Sequence, residues 1–256
     1  MHKIDILTYG WPIHNLDGVH YLKNLDTLRV QGTPSDTAGQ GLEQLTTLPL
    51  PIHLKSLTIS STKLSQLPPL SDTLLFLDCS SNKLSNLPNI LPQNLTYLNC
   101  RANQLARLPT LPSTLTSLWC DYDLLSSLPQ LPANLVFLFC GANFHLSQPS
   151  LPVSLRSFGC WDNGWSVLPL LPNSLQSLYC SNNLLPSLPG LPDSLTLLYC
   201  DHNLLSSILA LPNSLRYLFC DHNALSSITS LPSSLQQLYC NHNQLSTLPA
   251  LPLSLK

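Results

Sequence analysis

Cysteine recurs along this chain at a fixed spacing. The intervals are twenty residues after a single interval of twenty-one, and the nine cysteines are Cys79, Cys100, Cys120, Cys140, Cys160, Cys180, Cys200, Cys220 and Cys240. A period of about twenty predicts a solenoid, because one such small unit cannot bury its apolar face alone and must stack on copies of itself. We therefore expect function to lie on a surface that several units share.

The repeating unit is clearest around Cys180. Residues 175–185 read LQSLYCSNNLL, which fits the leucine-rich repeat pattern L-x-x-L-x-L-x-x-N-x-L with cysteine in the third leucine position. Because side chains alternate along a strand, Leu178 and Cys180 are predicted to point inward and Tyr179 outward.

Each unit then continues with two prolines, as in LPTLP at 108–112. Proline favours an extended, polyproline-like backbone over a helix. The sequence thus predicts a leucine-rich repeat solenoid of about eleven 20-residue coils, with a parallel β-sheet on the concave face and an extended, polyproline-like convex side.

The period also predicts the domain boundaries. Residues 1–24 fit it poorly and are interpreted as an irregular N-terminal cap, in which Ile4 and Ile6 form a first strand. Residues 25–256 form the repeat domain, with a loop insertion at about 31–44 that is rich in turn-forming residues. The last coil, at 251–256, is incomplete, so either another molecule covers its apolar end or the natural chain is longer.

Charge and hydropathy exclude several classes of function. The formal net charge is −2, so there is no basic footprint for a nucleic-acid backbone. No segment is long and apolar enough to span a membrane, and the polar residues near the start break up the core that a signal peptide needs. We expect a chain that folds in a reducing cytosol.

The cysteine and asparagine columns are both interpreted as structural. Inward-facing free cysteine behaves as a small hydrophobe, although the strand spacing alone does not exclude disulfides. A buried amide can bond the backbone of its own turn and of the next one, and such a column runs through Asn82, Asn103, Asn143, Asn163, Asn183, Asn203, Asn223 and Asn243. Asp123 interrupts this column and predicts a looser or hydrated coil, whereas Trp165 is interpreted as core filler.

Aromatic residues occupy the outward strand positions. Exposed aromatic bands mark interfaces, and Tyr and Trp dominate binding hot spots, although a preference of aromatic residues for strands is the alternative explanation. The predicted partner-binding stripe consists of Phe76, Tyr97, Trp119, Phe137, Phe139, Trp161, Tyr179, Tyr199, Tyr217, Phe219 and Tyr239.

Charged residues flank the stripe. The acidic residues Asp121, Asp201 and Asp221 are included in the predicted binding site, with Arg101 toward the N-terminal side, and they suit a partner that carries Lys or Arg. The alternative is that they are solvated residues at strand ends.

Three histidines, His202, His222 and His242, share one column. A metal site, a pH-sensitive rim and plain surface residues are the readings left open for this column, and a straight ladder does not converge on a tetrahedral point.

The unit LPDSLTLLYCDHNLL at 191–205 resembles the short LPxLP-type repeats of bacterial pathogen effectors of the YopM and IpaH types, and also the leucine-rich repeat effectors of Legionella. The resemblance covers about residues 42–256. It implies injection into a host cell and action by protein binding. The ligase members of these families carry a separate catalytic domain with its own nucleophilic cysteine, and this chain has no cysteine outside the ladder.

These observations lead to two hypotheses about function. The first is a non-catalytic secreted effector that binds a protein on its concave aromatic face and sequesters or inhibits it, the partner being a host protein or another bacterial effector. The second is a glycan-recognition module that uses the aromatic stripe. In the first hypothesis the chain is a monomer that resides in the bacterial cytoplasm before export to the host cytoplasm without a cleavable signal peptide. No catalytic residue, cofactor or metal ligand is predicted.

Overall fold

Parallel strands stacked one per coil form the fold, as the period predicts. The computed structural model of the protein describes residues 2–7, 19–32 and 50–256. Within these ranges there are twelve strands and one 3₁₀ turn, Val19–Tyr21. The strands are β1 His2–Leu7, β2 Leu25–Gln31, β3 Ser56–Ser60, β4 Phe76–Asp78, β5 Tyr97–Asn99, β6 Ser117–Trp119, β7 Phe137–Phe139, β8 Ser157–Gly159, β9 Ser177–Tyr179, β10 Leu197–Tyr199, β11 Tyr217–Phe219 and β12 Gln237–Tyr239.

The chain divides into two compact units, at 1–134 and 135–256. In the first unit, strands β1 to β6 pair in parallel in sequence order, with one register irregularity between His2 and Lys3. In the second unit, strands β7 to β12 also pair in parallel and in order. The central residue of each short strand lies opposite the central residue of the next, so Leu178, Leu198 and Leu218 form one column.

The N-terminal strand β1 includes Ile4 and Ile6, the residues expected to form a first strand. The predicted loop at about 31–44 lies mostly outside the described residues, and the proposed domain boundaries stay a prediction. No helix in the described ranges is both long enough and apolar enough to cross a bilayer.

Leucine and cysteine columns build the core inside the coils. The central strand residues and the cysteines that follow them are fully buried up to Cys220, while Cys240 is partly exposed. All nine thiols are free. The thiols of Cys100, Cys180 and Cys220 donate to the carbonyl of the next strand, for example Cys180 Sγ to Tyr199 O at 3.3 Å. Burial raises the pKa of the Cys160 and Cys200 thiols well above its usual value, so they stay protonated.

The asparagine column joins each coil to its neighbour. The Nδ2 group of Asn183 donates to the carbonyls of Cys180 at 3.1 Å and Cys160 at 3.0 Å, while its Oδ1 accepts from the amide of Trp165 at 3.0 Å. These bonds reach the backbone of its own turn, as predicted. They also reach the preceding coil, whereas bonds to the following coil were expected. One buried side chain thus satisfies backbone groups of two coils, which would otherwise be costly to bury.

Asp123 replaces asparagine in this column and lacks the amide donor. Its Oδ1 accepts from the amide of Leu105 at 2.9 Å, but its buried Oδ2 has no hydrogen-bond partner within the described residues. Burial, strengthened by the nearby charge of Asp121, raises the pKa of Asp123 to about 8. The carboxyl group therefore holds a proton at neutral pH, because an unpaired charge would be costly in this position.

A second polar column, which the sequence analysis did not identify, follows the prolines. The Ser194 hydroxyl donates to the carbonyls of Asn173 at 2.7 Å and Leu175 at 2.6 Å in the preceding coil. Equivalent contacts to the preceding coil are made by Thr73, Thr114, Ser154, Ser174, Ser214, Ser234 and Ser254. Hydroxyl groups therefore join the extended, proline-containing segments of successive coils by hydrogen bonds. Other solenoids have packed helices in this position.

Trp165 belongs to the core, as predicted. It is buried against Phe158, with ring centroids 6.4 Å apart, and its Nε1 donates to the carbonyl of Leu146 at 2.6 Å. The hydrogen bond satisfies the polar end of the indole, so the ring fills space without leaving an unpaired donor.

We expect Cys160→Ser to lower the free energy of unfolding by about 1 to 3 kcal/mol, because it places a more strongly polar hydroxyl in an apolar column and leaves space around it. Cys240→Ser is the matched control, since this cysteine is partly exposed. The control should change stability by no more than about 0.5 kcal/mol. Denaturant unfolding of both variants measures the difference, and equal effects would contradict a tightly packed thiol column.

We expect Asp123→Asn to stabilise the chain by about 1 to 3 kcal/mol at pH 8, because the amide supplies the missing donor. Between the ordinary pKa of 3.8 and the folded value of about 8, the folded parent holds a proton that the unfolded chain has lost. The parent therefore loses stability as the pH rises through this window, and the variant does not.

Denaturant unfolding of the two proteins at pH 5 and pH 8 measures this effect. Other titrating groups cancel in the difference between the proteins, which should grow with pH. A difference that stays constant over this range would refute the protonated state of Asp123.

Candidate functional site

Residues on either side of each buried central strand position face outward. In β10, Leu198 is fully buried while Leu197 and Tyr199 are partly exposed. The same pattern holds in β9 and β11. Because the register repeats from coil to coil, outward residues at equivalent positions are placed next to one another.

Four aromatic rings of the second unit form a stacked row, which we call the aromatic ladder: Tyr179, Tyr199, Phe219 and Tyr239. The ring centroids of successive members are 5.3, 4.0 and 4.8 Å apart, and their planes deviate from parallel by 18°, 3° and 13°. Tyr199 and Phe219 thus have a neighbouring ring against each face, whereas Tyr239 is stacked against Phe219 alone. Tyr239, in the last strand, is 45% exposed.

Trp161 extends the aromatic surface around Gly159. The Phe139 ring lies 6.1 Å from Trp161 and 5.9 Å from Tyr179, measured between centroids. A Cβ atom added to Gly159 would come within 2.5 Å of both Phe139 and Trp161, and one added to Gly141 would meet the same indole at 2.5 Å. Two glycines therefore make room for the indole, which lies over the position where Gly159 has no side chain.

In the first unit, the predicted stripe is shorter. Phe76 and Tyr97 stack with centroids 4.3 Å apart and planes 6° from parallel, and Trp119 is partly exposed in β6. Polar residues hold the equivalent positions before two of the cysteines: Asp78, which accepts hydrogen bonds from Ser80, and the buried Asn99. The fold thus tolerates non-aromatic residues at this position.

The remaining aromatic candidates lie in a parallel outward row. Phe137 is 43% exposed, and Tyr217 is partly exposed with its hydroxyl donating to Oε1 of Gln236 at 3.0 Å. The structure adds Leu197 to this row, because it is paired in register with Tyr217 and is partly exposed. Leu197 was not among the predicted site residues, which are aromatic or acidic, although its spacing of twenty residues from Tyr217 is a visible signal.

The three acidic candidates have different environments. Asp201 and Asp221 are partly exposed at the ends of β10 and β11, where Asp201 accepts from the Ser181 hydroxyl and Asp221 from the amide of Asn241 at 2.6 Å. Asp121 was expected to flank the stripe with them, but it is only 1% exposed and its carboxylate lies 3.2 Å from Nε of Arg101. Its carboxylate therefore cannot form part of an exposed acidic flank.

The histidine column is a second stacked row. The imidazole centroids of His202 and His222 are 4.1 Å apart, and those of His222 and His242 are 4.2 Å apart. All three residues have left-handed backbone conformations, with φ between 51° and 52°, as does Asn182 at the equivalent position with φ 54°. Within the ranges that the structure describes, no group of three His, Cys, Asp or Glu side chains is arranged to hold a metal ion.

The chain is similar to several proteins of known structure. The chain is 34% identical to YopM, a leucine-rich effector protein from Yersinia pestis, over 84% of this chain and 74% of that one, with a TM-score of 0.64. It is 26% identical to YopM from Yersinia enterocolitica over 91% of its length, with a TM-score of 0.54, and spans 63% of that protein's chain. No protein-family model and no curated protein sequence matches the chain.

A further similarity concerns the cysteines. The functional domain of InlJ from Listeria monocytogenes, which includes a cysteine ladder, is 26% identical over 77% of this chain and 46% of that one, with a TM-score of 0.63. A cysteine ladder therefore also occurs in another protein of similar fold.

We expect Gly159→Ala to destabilise the second unit by about 1 to 3 kcal/mol, because its Cβ atom would overlap the Phe139 and Trp161 rings. Gly190→Ala is the matched control, since an added Cβ atom there meets nothing within 4 Å. The control should be neutral or slightly stabilising. Denaturant unfolding together with tryptophan fluorescence tests both, and equal stability of the two variants would contradict the close packing of the rings on Gly159.

Proposed function

Because this chain belongs to the family of bacterial leucine-rich repeat effectors that includes YopM, we propose that it is a non-catalytic secreted effector that binds a partner protein. The proposed binding site is the strand-bearing face, predicted above to be the concave one. The closer assignment to LPxLP-type repeats and to Legionella effectors is part of the same proposal.

The aromatic ladder is the observation that carries this proposal. Four rings in consecutive strands present their edges side by side, with centroid spacings of 4.0 to 5.3 Å. Tyrosine supplies a large apolar contact area and a polar hydroxyl, which is why it is common at binding hot spots. Leu197 and Tyr217 widen the partly exposed apolar band in the neighbouring row.

Stacking also orders the side chains of the ladder before a partner binds. Each ring is held by its neighbours, and the strands beneath are in strict register. Side chains that are already ordered lose less conformational freedom when a partner binds. A rigid face of this kind suits sequestration of a protein or obstruction of its active site, and the partner is a host protein or another bacterial effector.

The glycan alternative fits this geometry less well. Sugars bind aromatic residues by stacking on the ring faces, and in the ladder both faces of Tyr199 and Phe219 are covered by neighbouring rings. The exposed ring edges, together with the aliphatic Leu197, favour a protein surface over a carbohydrate.

The reduced, buried thiols support a proposed passage of the protein from the bacterial cytoplasm to the host cytoplasm. We propose that it folds in the bacterial cytoplasm, is exported and acts as a monomer in the host cytoplasm. Both cytoplasms keep thiols reduced. The raised pKa of the Cys160 and Cys200 thiols also argues against a nucleophilic role for them, because the reactive species would be the thiolate.

The test begins with isolation of the partner by using the intact chain as bait against host lysate and against the effectors of the source bacterium. Among Trp119→Ala, Tyr179→Ala, Tyr199→Ala and Tyr239→Ala, we expect some to cost 2 kcal/mol or more in binding, about thirtyfold in Kd. Lost ring stacking should lower their stability by only about 0.5 to 1.5 kcal/mol.

Leu209→Ala is the control for these variants. This leucine is 82% exposed in the segment that links β10 to β11, outside the strands, so its removal should leave binding unchanged. Isothermal titration calorimetry and denaturant unfolding are measured on each variant. Normal binding by all four aromatic variants, accompanied by reduced stability, would mean that these aromatic residues serve only cross-strand packing.

A further inference from the structure

A polar cleft lies beside the aromatic ladder in the second unit. It has a volume of about 620 Å³ and is lined by Asp201, His202, Asp221, His222, Asn241 and His242. Tyr199 and Asp201 are two residues apart on the same strand end, as are Phe219 and Asp221, so side-chain alternation places them on the same face. A protein that covers the ladder therefore reaches the cleft as well.

The two carboxylates in the cleft have neutral hydrogen-bond donors only. Asp201 accepts from the Ser181 hydroxyl and Asp221 from the amide of Asn241. Within the described part of the chain, no lysine or arginine forms an ion pair with either one, and none lines the cleft. Each carboxylate has two oxygens and can accept further hydrogen bonds.

Some aspartates in this protein have cationic partners. Asp5 pairs with Lys3 at 2.9 Å, and Asp26 lies 3.6 Å from Lys55. Asp121 has the Arg101 guanidinium. Asp201 and Asp221 have no such ion pair among the described residues, and they lie in adjacent coils, about 4.8 Å apart by strand spacing, in one cleft.

The imidazole row supplies further acceptors. The three rings stack with planes within 15° of parallel, so their edges face outward. A neutral imidazole carries one unprotonated nitrogen, which accepts a hydrogen bond. Carboxylate and imidazole acceptors together suit a group with several donors, and a guanidinium or ammonium group has five or three of them.

We propose that this cleft binds the positively charged side chain of an arginine or lysine residue on the partner protein. This inference rests on the proposed function, because the aromatic ladder brings the partner to the cleft. A bound metal ion is the less suitable occupant, since no set of three ligands within the described residues is arranged to hold one.

The test uses small probes and needs no partner protein. N-acetyl-arginine amide is titrated into the full chain, and N-acetyl-citrulline amide serves as the neutral probe of the same shape. The imidazole carbon–proton NMR signals of His202, His222 and His242 report binding. His145, an exposed histidine in the same unit outside the cleft, is the internal reference.

The matched variant is the double substitution Asp201→Asn with Asp221→Asn. Asn241 occupies the equivalent position in the next coil, and an asparagine Oδ1 can still accept the hydrogen bonds from Ser181 and from the amide of Asn241. The fold should therefore tolerate the change, while both negative charges are removed.

We expect arginine to shift the three cleft signals in a saturable way, citrulline to leave them unchanged, and the double variant to bind arginine about tenfold more weakly. Equal shifts by both probes, equal shifts at His145, or undiminished binding by the variant would overturn the inference. If the variant does not fold, the comparison of the two probes on the parent chain decides. Failure here leaves the aromatic ladder as a binding site, whereas failure of the ladder variants would remove the proposed function itself.

Discussion

The buried side-chain amide is the interaction on which the rest of the fold depends. A coil of only twenty residues must turn sharply after each three-residue strand, and the turn leaves peptide groups inside the solenoid. Asn183 satisfies carbonyls of two coils with one amide group, and its oxygen accepts from two amides of the preceding turn. Because the same contact recurs from coil to coil, it fixes how successive coils align with one another as well as the conformation of each turn. The leucine and cysteine columns pack well only in that register.

A fixed register has a direct consequence for the surface. Side chains at equivalent positions must stack at about the strand spacing of 4.8 Å, whatever their chemistry. Aromatic residues then form a ladder, as Tyr199 and Phe219 do at 4.0 Å, and histidines form another, as His202 and His222 do at 4.1 Å. The solenoid therefore turns a short sequence motif into an ordered surface whose side chains are held before a partner arrives.

Much of this fold could be predicted from the sequence because each unit repeats the same local rules. The period gave the strands, the inward cysteines and the structural asparagines. The burial of Asp121 was not predicted, because the repeat gives it the same position as the partly exposed Asp201 and Asp221, and only the packing of the side chains distinguishes it. In the structure its carboxylate lies 3.2 Å from Nε of Arg101 in the preceding coil. The covered ring faces of the ladder were likewise hidden, since sequence alternation indicates a side of the sheet but not a ring angle. The residues of the binding site stay a prediction.

The strand position before each cysteine helps to separate structural from functional reasons for the ladder. Asp78, Asn99 and Gly159 hold this position in other coils, and their strands pair in register like the rest. An aromatic residue there is thus not required for a strand to form or for a coil to stack. At Gly159 the missing side chain is replaced by the Trp161 indole, which restores an aromatic surface between Phe139 and Tyr179. Strand formation alone does not require this replacement, and the aromatic surface that it restores agrees with the proposed binding role as well as with ring packing.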